Sequence, residues 1–220
     1  MIMHLKEIYI FDICGTLYKS NTTFDFLNWL FEKNWKFRFF KRIYTSIIWK
    51  LFNKILRVYF HLDLTRILAL SFLKGYNKDV LSKYADEFVN TFLSSRKNIE
   101  VIQSLEALKS QGKIIVIMSA TIDVVAQAIA KSLKIDCYKS SLLKYDDSIC
   151  QGKLIQDLLG NKTAYLDKQT QIAAVYTDDL SDANLLELAK EKNIIIYSRT
   201  AKKWSNLLKR KQWNANLISY

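Results

Sequence analysis

The 220-residue sequence contains no proline, only five glycines and only three cysteines. With so little proline and glycine, no stretch has the composition of a flexible linker. We therefore expect one domain, or one domain with a small insert. The three cysteines, Cys14, Cys137 and Cys150, share no metal-binding spacing. Their odd number argues against a disulfide framework. They therefore favour a cytoplasmic protein with reduced thiols.

Long apolar runs are also absent. No segment approaches the roughly 18–20 uncharged residues of a transmembrane helix. Residues 1–7 run directly into a strand-like segment, which leaves no room for a signal peptide. The sequence therefore predicts neither a membrane span nor an export signal.

Acidic residues are missing from one segment, Lys33–Phe60, and this segment contributes most of the net charge of +12 of the chain. Apolar residues recur there at helical spacing from Phe40 to Tyr59, which predicts one long amphipathic helix. The segment contains eight basic residues, namely Lys33, Lys36, Arg38, Lys41, Arg42, Lys50, Lys54 and Arg57. Packing of the apolar stripe on neighbouring helices is the simplest interpretation, but it does not explain these charges.

Two functional interpretations of this basic segment remain open. In the first, the segment binds an anionic membrane surface, which would place the protein at the inner face of the membrane. Alternatively, it attracts an anionic phosphorylated substrate toward a site elsewhere. No recognition motif accompanies the charge, so we expect no nucleic-acid partner.

A strand-like segment near the start of the chain, I-Y-I-F-D-I-C-G-T-L, ends in an aspartate, Asp12, and a glycine turn follows at Gly15. This pattern is typical of a buried parallel strand. In open α/β sheets ligands bind outside the carboxyl ends of such strands. Asp12 is therefore the first candidate for a functional residue.

Two later apolar segments end in the same way. Lys113–Met118 leads into Ser119-Ala120-Thr121, and Ile172–Tyr176 leads into T-D-D-L-S-D at residues 177–182. Strands that alternate with helices predict a parallel, three-layer α/β sheet. Further elements are predicted as a strand at Ile135–Leu143, a hairpin at Tyr145–Lys153, a helix start at Asn161–Asp167, a strand at Asn193–Ser198 and a helix at Thr200–Lys211.

These segments resemble, in order, the four motifs of the haloacid dehalogenase superfamily of phosphatases. The first motif, D-x-D-G-T-[LV], is matched by D-I-C-G-T-L from Asp12, and the second by Ser119 at a strand end. A lysine near a helix start is the third, matched by Lys162 in G-N-K-T-A-Y-L, with Lys153 as the alternative. The fourth, G-D-x-x-x-D, is matched by Asp178 and Asp182 in T-D-D-L-S-D.

The resemblance implies a Rossmann-like core over residues 1–19 and 97–220, with an all-helical cap inserted at residues 20–96. An insert of this kind resembles the phosphoserine-phosphatase-like branch. The run T-F-D-F-L just after the first motif is also similar to membrane-associated phosphatidylglycerophosphate phosphatases. The implied partner is a small phosphorylated substrate, with a lipid phosphate as the alternative.

The implied reaction is Mg²⁺-dependent hydrolysis of a phosphomonoester through an aspartyl-phosphate on Asp12. The implied metal ligands are Asp12, the main-chain carbonyl of Cys14, Asp178 and, as a ligand or a support, Asp182. The phosphoryl group would be bound by six residues, which are Asp12, Gly15, Thr16, Ser119, Ala120 and Lys162. Lys162 would also hold the nucleophile and offset charge in the transition state.

Cys14 departs from the family pattern, because an aspartate usually stands there. That aspartate protonates the leaving alcohol and later activates water, a contribution typically worth about 10²–10⁴-fold in rate. A thiol with a pKa of roughly 8.5 is a poor substitute. Three interpretations follow: a slow phosphatase, an enzyme whose leaving group needs no protonation, or a binding protein without turnover.

Overall fold

The computed structural model describes residues 7–60, 62–167 and 169–219. The outermost parts of the predicted core, residues 1–6 and 220, lie outside these ranges. Within the described chain, alternating strands and helices build a mixed α/β fold around one sheet. The predicted fold class is confirmed.

The sheet has the strand order β4-β3-β2-β1-β5-β6-β7. Every neighbouring pair is parallel except the β3–β4 hairpin. The strands are β1 Glu7–Phe11, β2 Ile114–Ile122, β3 Tyr138–Asp146, β4 Ile149–Gln156, β5 Gln171–Thr177, β6 Ala189–Ile196 and β7 Asn216–Ser219. Because β1 lies in the middle, with β2 and β5 on either side, the three segments with candidate residues are adjacent.

Nine α-helices are described, and they follow the apolar spacing of the sequence. They are α1 Thr22–Leu30, α2 Trp35–Thr45, α3 Ile47–Phe60, α4 Leu64–Ser71, α5 Lys78–Phe88, α6 Ile99–Ser110, α7 Asp123–Ser132, α8 Ala183–Glu187 and α9 Ser198–Lys211. Five begin after a side chain that accepts a hydrogen bond from the first turn, which stabilises a helix start; these caps are Asn34, Ser46, Asp63, Asn77 and Asn98. None of the described helices is both long and apolar enough to cross a bilayer.

Alternate residues of the central strands point to opposite faces of the sheet, as a period of two requires. On one face Phe11 and Ile117 belong to an apolar cluster that also includes residues of α1, α5, α6 and α7. On the other face Ile10 and Val175 pack with residues of α8 and α9. The sheet is therefore the middle layer of three.

The two ends of the predicted cap segment lie side by side. Lys19 N donates to Arg96 O (2.8 Å), and Asn98 N donates to Leu17 O (2.9 Å). Between these bonds the described residues form helices, from α1 through α5, and turns up to Arg96, with one isolated bridge from Asn77 to Ile149. This is the geometry expected of an insert, and the exact division at residues 20–96 stays a prediction.

The predicted single helix over Phe40–Tyr59 is wrong, because the helix is interrupted at Ser46. Ser46 has an extended backbone (ψ 152°), and its Oγ accepts a hydrogen bond from Trp49 N, so it starts a second helix. The simple interpretation of the apolar stripe also fails on α3. Ile48 and Leu51 are 85% and 62% exposed there.

Two other predicted elements differ from those in the structure, and one strand was not predicted. The strand predicted to stop at Met118 continues to Ile122, so Ser119 and Thr121 lie within β2 rather than at the start of α7. The helix predicted to start at Asn161–Asp167 is a single 3-10 turn, Lys162–Tyr165. The final strand, β7, was not predicted.

Candidate active site

Asp12 and Asp178 follow the ends of two adjacent parallel strands. Phe11 on β1 pairs with Tyr176 on β5, and Asp12 N donates to Tyr176 O (3.0 Å). Asp178 N in turn donates to Thr16 Oγ1 (3.0 Å), so the loop after β5 is tied to the loop after β1. The two carboxylates therefore meet at the same edge of the sheet, although they are far apart in sequence.

Gly15 allows the close approach of these loops. Its φ is +68°, and a Cβ built at this position would overlap the carboxyl group of Asp178. Only glycine leaves that space and adopts this backbone angle without strain. Tyr197 OH donates to Gly15 O (2.7 Å) and holds the turn from the other side.

Lys162 bridges two buried carboxylates. Its Nζ lies 2.7 Å from Asp12 Oδ1 and 2.7 Å from Asp182 Oδ2. Thr177 Oγ1 donates a further hydrogen bond to Asp182 Oδ2 (2.6 Å). The other candidate lysine, Lys153, is exposed on β4. The geometry thus places Lys162, and not Lys153, beside the candidate nucleophile.

Three carboxyl groups, those of Asp12, Asp178 and Asp182, lie near one ammonium group, that of Lys162. Burial disfavours the ammonium of Lys162, but the charges of Asp12 and Asp182 outweigh that effect and keep its pKa above the ordinary value. Burial raises the pKa of Asp12 to about 6, against the attraction of Lys162. For Asp178, burial together with the charge of Asp12 raises the pKa to about 8. Burial and mutual repulsion therefore oppose the ionisation of Asp12 and Asp178 together.

The Cys14 thiol lies in a small cluster of hydroxyl groups. Its Sγ is 3.0 Å from Thr22 Oγ1 and 3.4 Å from Thr121 Oγ1. The two threonine hydroxyls are 2.7 Å apart, and Ser119 Oγ is 3.1 Å from Thr121 Oγ1. Burial and the charge of Asp12 raise the pKa of the thiol. Cys14 is therefore a neutral thiol at neutral pH.

These groups line a cleft of about 760 Å³ between the sheet edge and the helices of residues 20–96. That volume is within the usual range for small-molecule sites. Arg66 of α4 also lines the cleft; its guanidinium donates to Asp157 Oδ1 and Oδ2 (2.8 and 2.9 Å) and to the carbonyl of Ala120. A polar cleft lined by two lysines, two arginines and several carboxylates suits an anionic ligand that arrives with a cation.

A family model for haloacid dehalogenase-like hydrolases matches residues 9–187. The chain belongs to this family. The family predicted from the motifs is thereby confirmed, and the protein is a hydrolase by family. No curated protein matches the sequence significantly.

Solved structures share the fold of this haloacid dehalogenase-like hydrolase at low sequence identity. A protein of unknown function from Bordetella pertussis Tohama I has a TM-score of 0.72 and 14% identity, with 96% of this chain and 98% of that chain covered. A phosphoserine phosphohydrolase-like protein from Francisella tularensis SCHU S4 has a TM-score of 0.61 and 18% identity, with 97% and 94% covered. An apo phosphoserine phosphatase has a TM-score of 0.57 and 14% identity, with 90% of each chain covered.

A divalent cation fits the acidic side of this hydrolase's cleft. Among the described residues, no three His, Cys, Asp or Glu side chains form a metal-binding group, so a metal would have to retain water. Mg²⁺ does so, and it prefers oxygen ligands. Asp12 and Asp178 offer two carboxylates, and within the described chain the Asp178 carboxyl oxygens accept no hydrogen bond. Asp178 is half-buried, and a carboxylate that loses water without gaining a hydrogen-bond donor is a group that a cation would stabilise.

Several residues at the site of this hydrolase were not predicted. Thr121 lies two residues after Ser119, so its hydroxyl could have been noticed in the second motif. Thr22, Tyr197 and Arg66 reach the site from other elements, and only the fold reveals them. The residues of the four motifs, in contrast, all line or adjoin one cleft.

Proposed function

We propose that this haloacid dehalogenase-like hydrolase cleaves small phosphomonoesters through an aspartyl-phosphate on Asp12. One observation carries the proposal: the Asp12 carboxylate is held by Lys162 at 2.7 Å at the floor of a cleft that it shares with Asp178. A carboxylate so placed is a nucleophile with positive charge beside it, as phosphoryl transfer requires. We place the protein in the cytoplasm, where its three free thiols would stay reduced.

In the first step, a carboxylate oxygen of Asp12 attacks phosphorus, and the bond from phosphorus to the leaving oxygen breaks. Lys162 keeps the attacking side chain in position and offsets charge on the phosphoryl oxygens. The Ser119 hydroxyl and the main-chain groups of residues 15, 16 and 120 would bind those oxygens. A bound Mg²⁺ would reduce the repulsion between carboxylate and phosphate; Asp12, Asp178 and the carbonyl of Cys14 would hold it.

In the second step, water attacks phosphorus, inorganic phosphate leaves, and the Asp12 carboxylate is restored. We assign Asp182 a supporting role in both steps. Its Oδ2 already accepts hydrogen bonds from Lys162 and Thr177, so it fixes the ammonium group that faces Asp12. Asp182 thus acts on the reaction through Lys162.

Cys14 sets the expected limits of this activity. Its thiol is neutral and surrounded by the hydroxyls of Thr22 and Thr121, so it is a weak acid and no base at neutral pH. Departure of a basic alkoxide and activation of water are therefore both unassisted by a carboxyl group. We infer a preference for leaving groups of low pKa and slow hydrolysis of the phosphoenzyme.

We infer the substrate class from proteins that share the fold. Phosphoserine phosphatase-like proteins share the fold, which supports a small phosphorylated metabolite as the substrate. A lipid phosphate stays the alternative. Both share the phosphomonoester group that Asp12, Ser119 and Lys162 would bind.

The test is Mg²⁺-dependent release of phosphate from p-nitrophenyl phosphate and from a panel of phosphorylated metabolites. We expect activity that disappears on chelation and in Asp12→Asn. Asp136→Asn, an equally conservative change at an exposed aspartate, is the matched control and should have wild-type activity. Activity that survives in Asp12→Asn would refute the mechanism.

A second candidate function, favoured by Cys14, is the binding of a phosphorylated ligand without turnover. In that case the same cleft would bind inorganic phosphate, and wild-type protein would release none from any member of the panel. Thermal unfolding with inorganic phosphate and Mg²⁺ distinguishes the two. Stabilisation that requires Lys162, without turnover, would support binding alone.

A further inference from the structure

Helix α3 is attached to the protein by its polar side. Trp49 Nε1 donates to Thr65 Oγ1 (2.8 Å), and the Asn53 side chain donates to Asp63 Oδ1 (3.1 Å) and accepts from Thr65 N (3.2 Å). Trp49 and Asn53 are four residues apart and so lie on one side of the helix. Hydrogen bonds, rather than an apolar seam, hold this side against α4.

The apolar face of α3 consequently points to solvent. Its members recur at helical spacing and are exposed by 47–85%; they are Ile47, Ile48, Leu51, Phe52, Ile55, Val58 and Tyr59. Ile48 at 85% and Ile47 at 78% are the most exposed of these side chains. A contiguous exposed apolar stripe is unusual for a protein surface and indicates a binding surface.

Positive charge borders this apolar face. Lys50 and Lys54 are four residues apart and fall next to Ile47 and Leu51 on the helix surface. Both lysines are exposed, and within the described chain neither forms a salt bridge. The preceding helix, α2, adds exposed basic residues and two exposed aromatic rings, Trp35 (71%) and Phe39 (62%).

We propose that the outward face of α3 binds an anionic lipid surface, with the helix axis parallel to the membrane. A helix with large apolar side chains on one face and lysines along its border is the type that lies at the headgroup boundary. At 14 residues it is about 21 Å long, shorter than the roughly 30 Å hydrocarbon core, so it lies on the bilayer and does not cross it.

Charge decides between this partner and the other occupants of an apolar face. A second copy of the chain would bring two segments of eight basic residues each, without an acid, against one another, and like charges oppose such contact. Attraction of a phosphorylated substrate requires the lysines but gives no role to the outward isoleucines. Anionic lipid is complementary to both features at once. The proposal does not depend on hydrolysis.

The test is flotation of purified protein with vesicles of phosphatidylcholine alone and of phosphatidylcholine mixed with phosphatidylglycerol. We expect binding to the mixed vesicles only, weakened by salt. Lys50→Gln/Lys54→Gln should lower the partition coefficient about 30-fold, as expected for two lysines near an anionic surface. Ile48→Ser/Leu51→Ser should weaken binding strongly, and the residual binding should keep its salt dependence.

Two matched controls test whether binding depends on this face of α3 or on any exposed lysine or leucine of the protein. Lys202→Gln/Lys203→Gln removes two exposed lysines of α9, and Leu188→Ser removes an exposed leucine after α8; both should bind like wild type. Asp12→Asn should also bind normally, so failure of the proposed hydrolysis leaves this result unaffected. Circular dichroism and analytical ultracentrifugation confirm that each variant is folded and report its oligomeric state.

Three outcomes would overturn the proposal. They are no flotation with either vesicle, equal flotation with both, and equal loss of binding in the α9 control. Dimeric wild-type protein that becomes monomeric in Ile48→Ser/Leu51→Ser, without flotation, would assign the face to a second copy instead.

Discussion

Lys162 Nζ lies 2.7 Å from Asp12 Oδ1, and the side chains of both residues are less than a tenth exposed. The two residues are 150 positions apart in the sequence, so this ion pair depends on the whole fold. It places a permanent positive charge beside the residue that we propose to be the nucleophile. The same ammonium group also bonds Asp182, so one lysine balances two buried carboxylates.

Replacing Lys162 should therefore affect both stability and activity. Lys162→Met leaves two buried carboxylates without their partner, and breaking a buried pair in this way costs about 3–5 kcal/mol. Phosphate release should fall by at least about 10²-fold, as for loss of one preorganised charge-stabilising group. Urea unfolding and the phosphate assay measure these effects. Lys153→Met, at the exposed alternative lysine, should change neither; equal effects of both substitutions would contradict the assignment.

Gly15→Ala should abolish activity because its Cβ overlaps the Asp178 carboxyl group. Gly112→Ala is the matched control, since Gly112 has nearly the same φ (+70° against +68°) but no atom within 4 Å of the added Cβ. The control should lose only the roughly 1 kcal/mol expected of strain at positive φ, with full activity. Phosphate release and thermal unfolding measure both variants. If Gly15→Ala were as active as Gly112→Ala, Asp178 would have no place at the site.

The metal-free protein should become less stable as the pH rises from about 4 to about 8. Asp178 has a pKa of about 8 in the folded protein, whereas an unfolded aspartate has a pKa of about 3.9. The folded state thus keeps a proton that the unfolded state releases in this window, and stability falls with pH. The raised pKa of Asp12, about 6, acts in the same direction.

Thermal unfolding in a chelator at several pH values checks this trend. Asp178→Asn should flatten it, and Asp136→Asn should not. Because a cation favours the ionised carboxylates, Mg²⁺ should stabilise the wild type more at high pH than at low pH. A metal-free protein whose stability rises across this window would contradict our account of the site.

The sequence was sufficient to predict the elements whose residues carry a strong local pattern. Apolar runs that end in Asp12, Ser119 and Asp178 predict parallel strands, and their carboxyl ends meet at one edge of the sheet. The position of Lys162 beside Asp12 was also predicted, although from family resemblance. Its 3-10 turn has no local pattern that would have indicated it.

The sequence was insufficient where tertiary contacts decide. The periodicity of Phe40–Tyr59 continues through Ser46, yet the Ser46 hydroxyl caps a new helix, and the direction of α3 is set by hydrogen bonds from Trp49 and Asn53. The strand Asn216–Ser219 is short and becomes a strand only because β6 offers a free edge. The two hydroxyl partners of Cys14, Thr22 and Thr121, come from α1 and β2.

Cys14→Asp should raise turnover, and most for alkyl phosphates. The new carboxyl group would protonate the leaving oxygen and activate water, a gain of up to about 10²–10⁴-fold. For p-nitrophenyl phosphate, whose leaving group needs no proton, the gain in the first step should be small. Cys14→Ser, which removes the thiol without adding an acid, is the control and should resemble wild type. Equal effects of Asp and Ser at position 14 would contradict the role we give this residue.

The most direct test of the account is to look for the phosphoenzyme itself. Because Cys14 provides no base for the second step, the aspartyl-phosphate should accumulate after the protein is mixed with p-nitrophenyl phosphate and Mg²⁺. Acid quenching and peptide mass spectrometry should then find one phosphoryl group on Asp12, with a matching burst of p-nitrophenol, and Cys14→Asp should shorten its lifetime. A phosphoryl group on Cys14 or any other residue, or turnover without a phosphoenzyme or burst in the wild type, would contradict it.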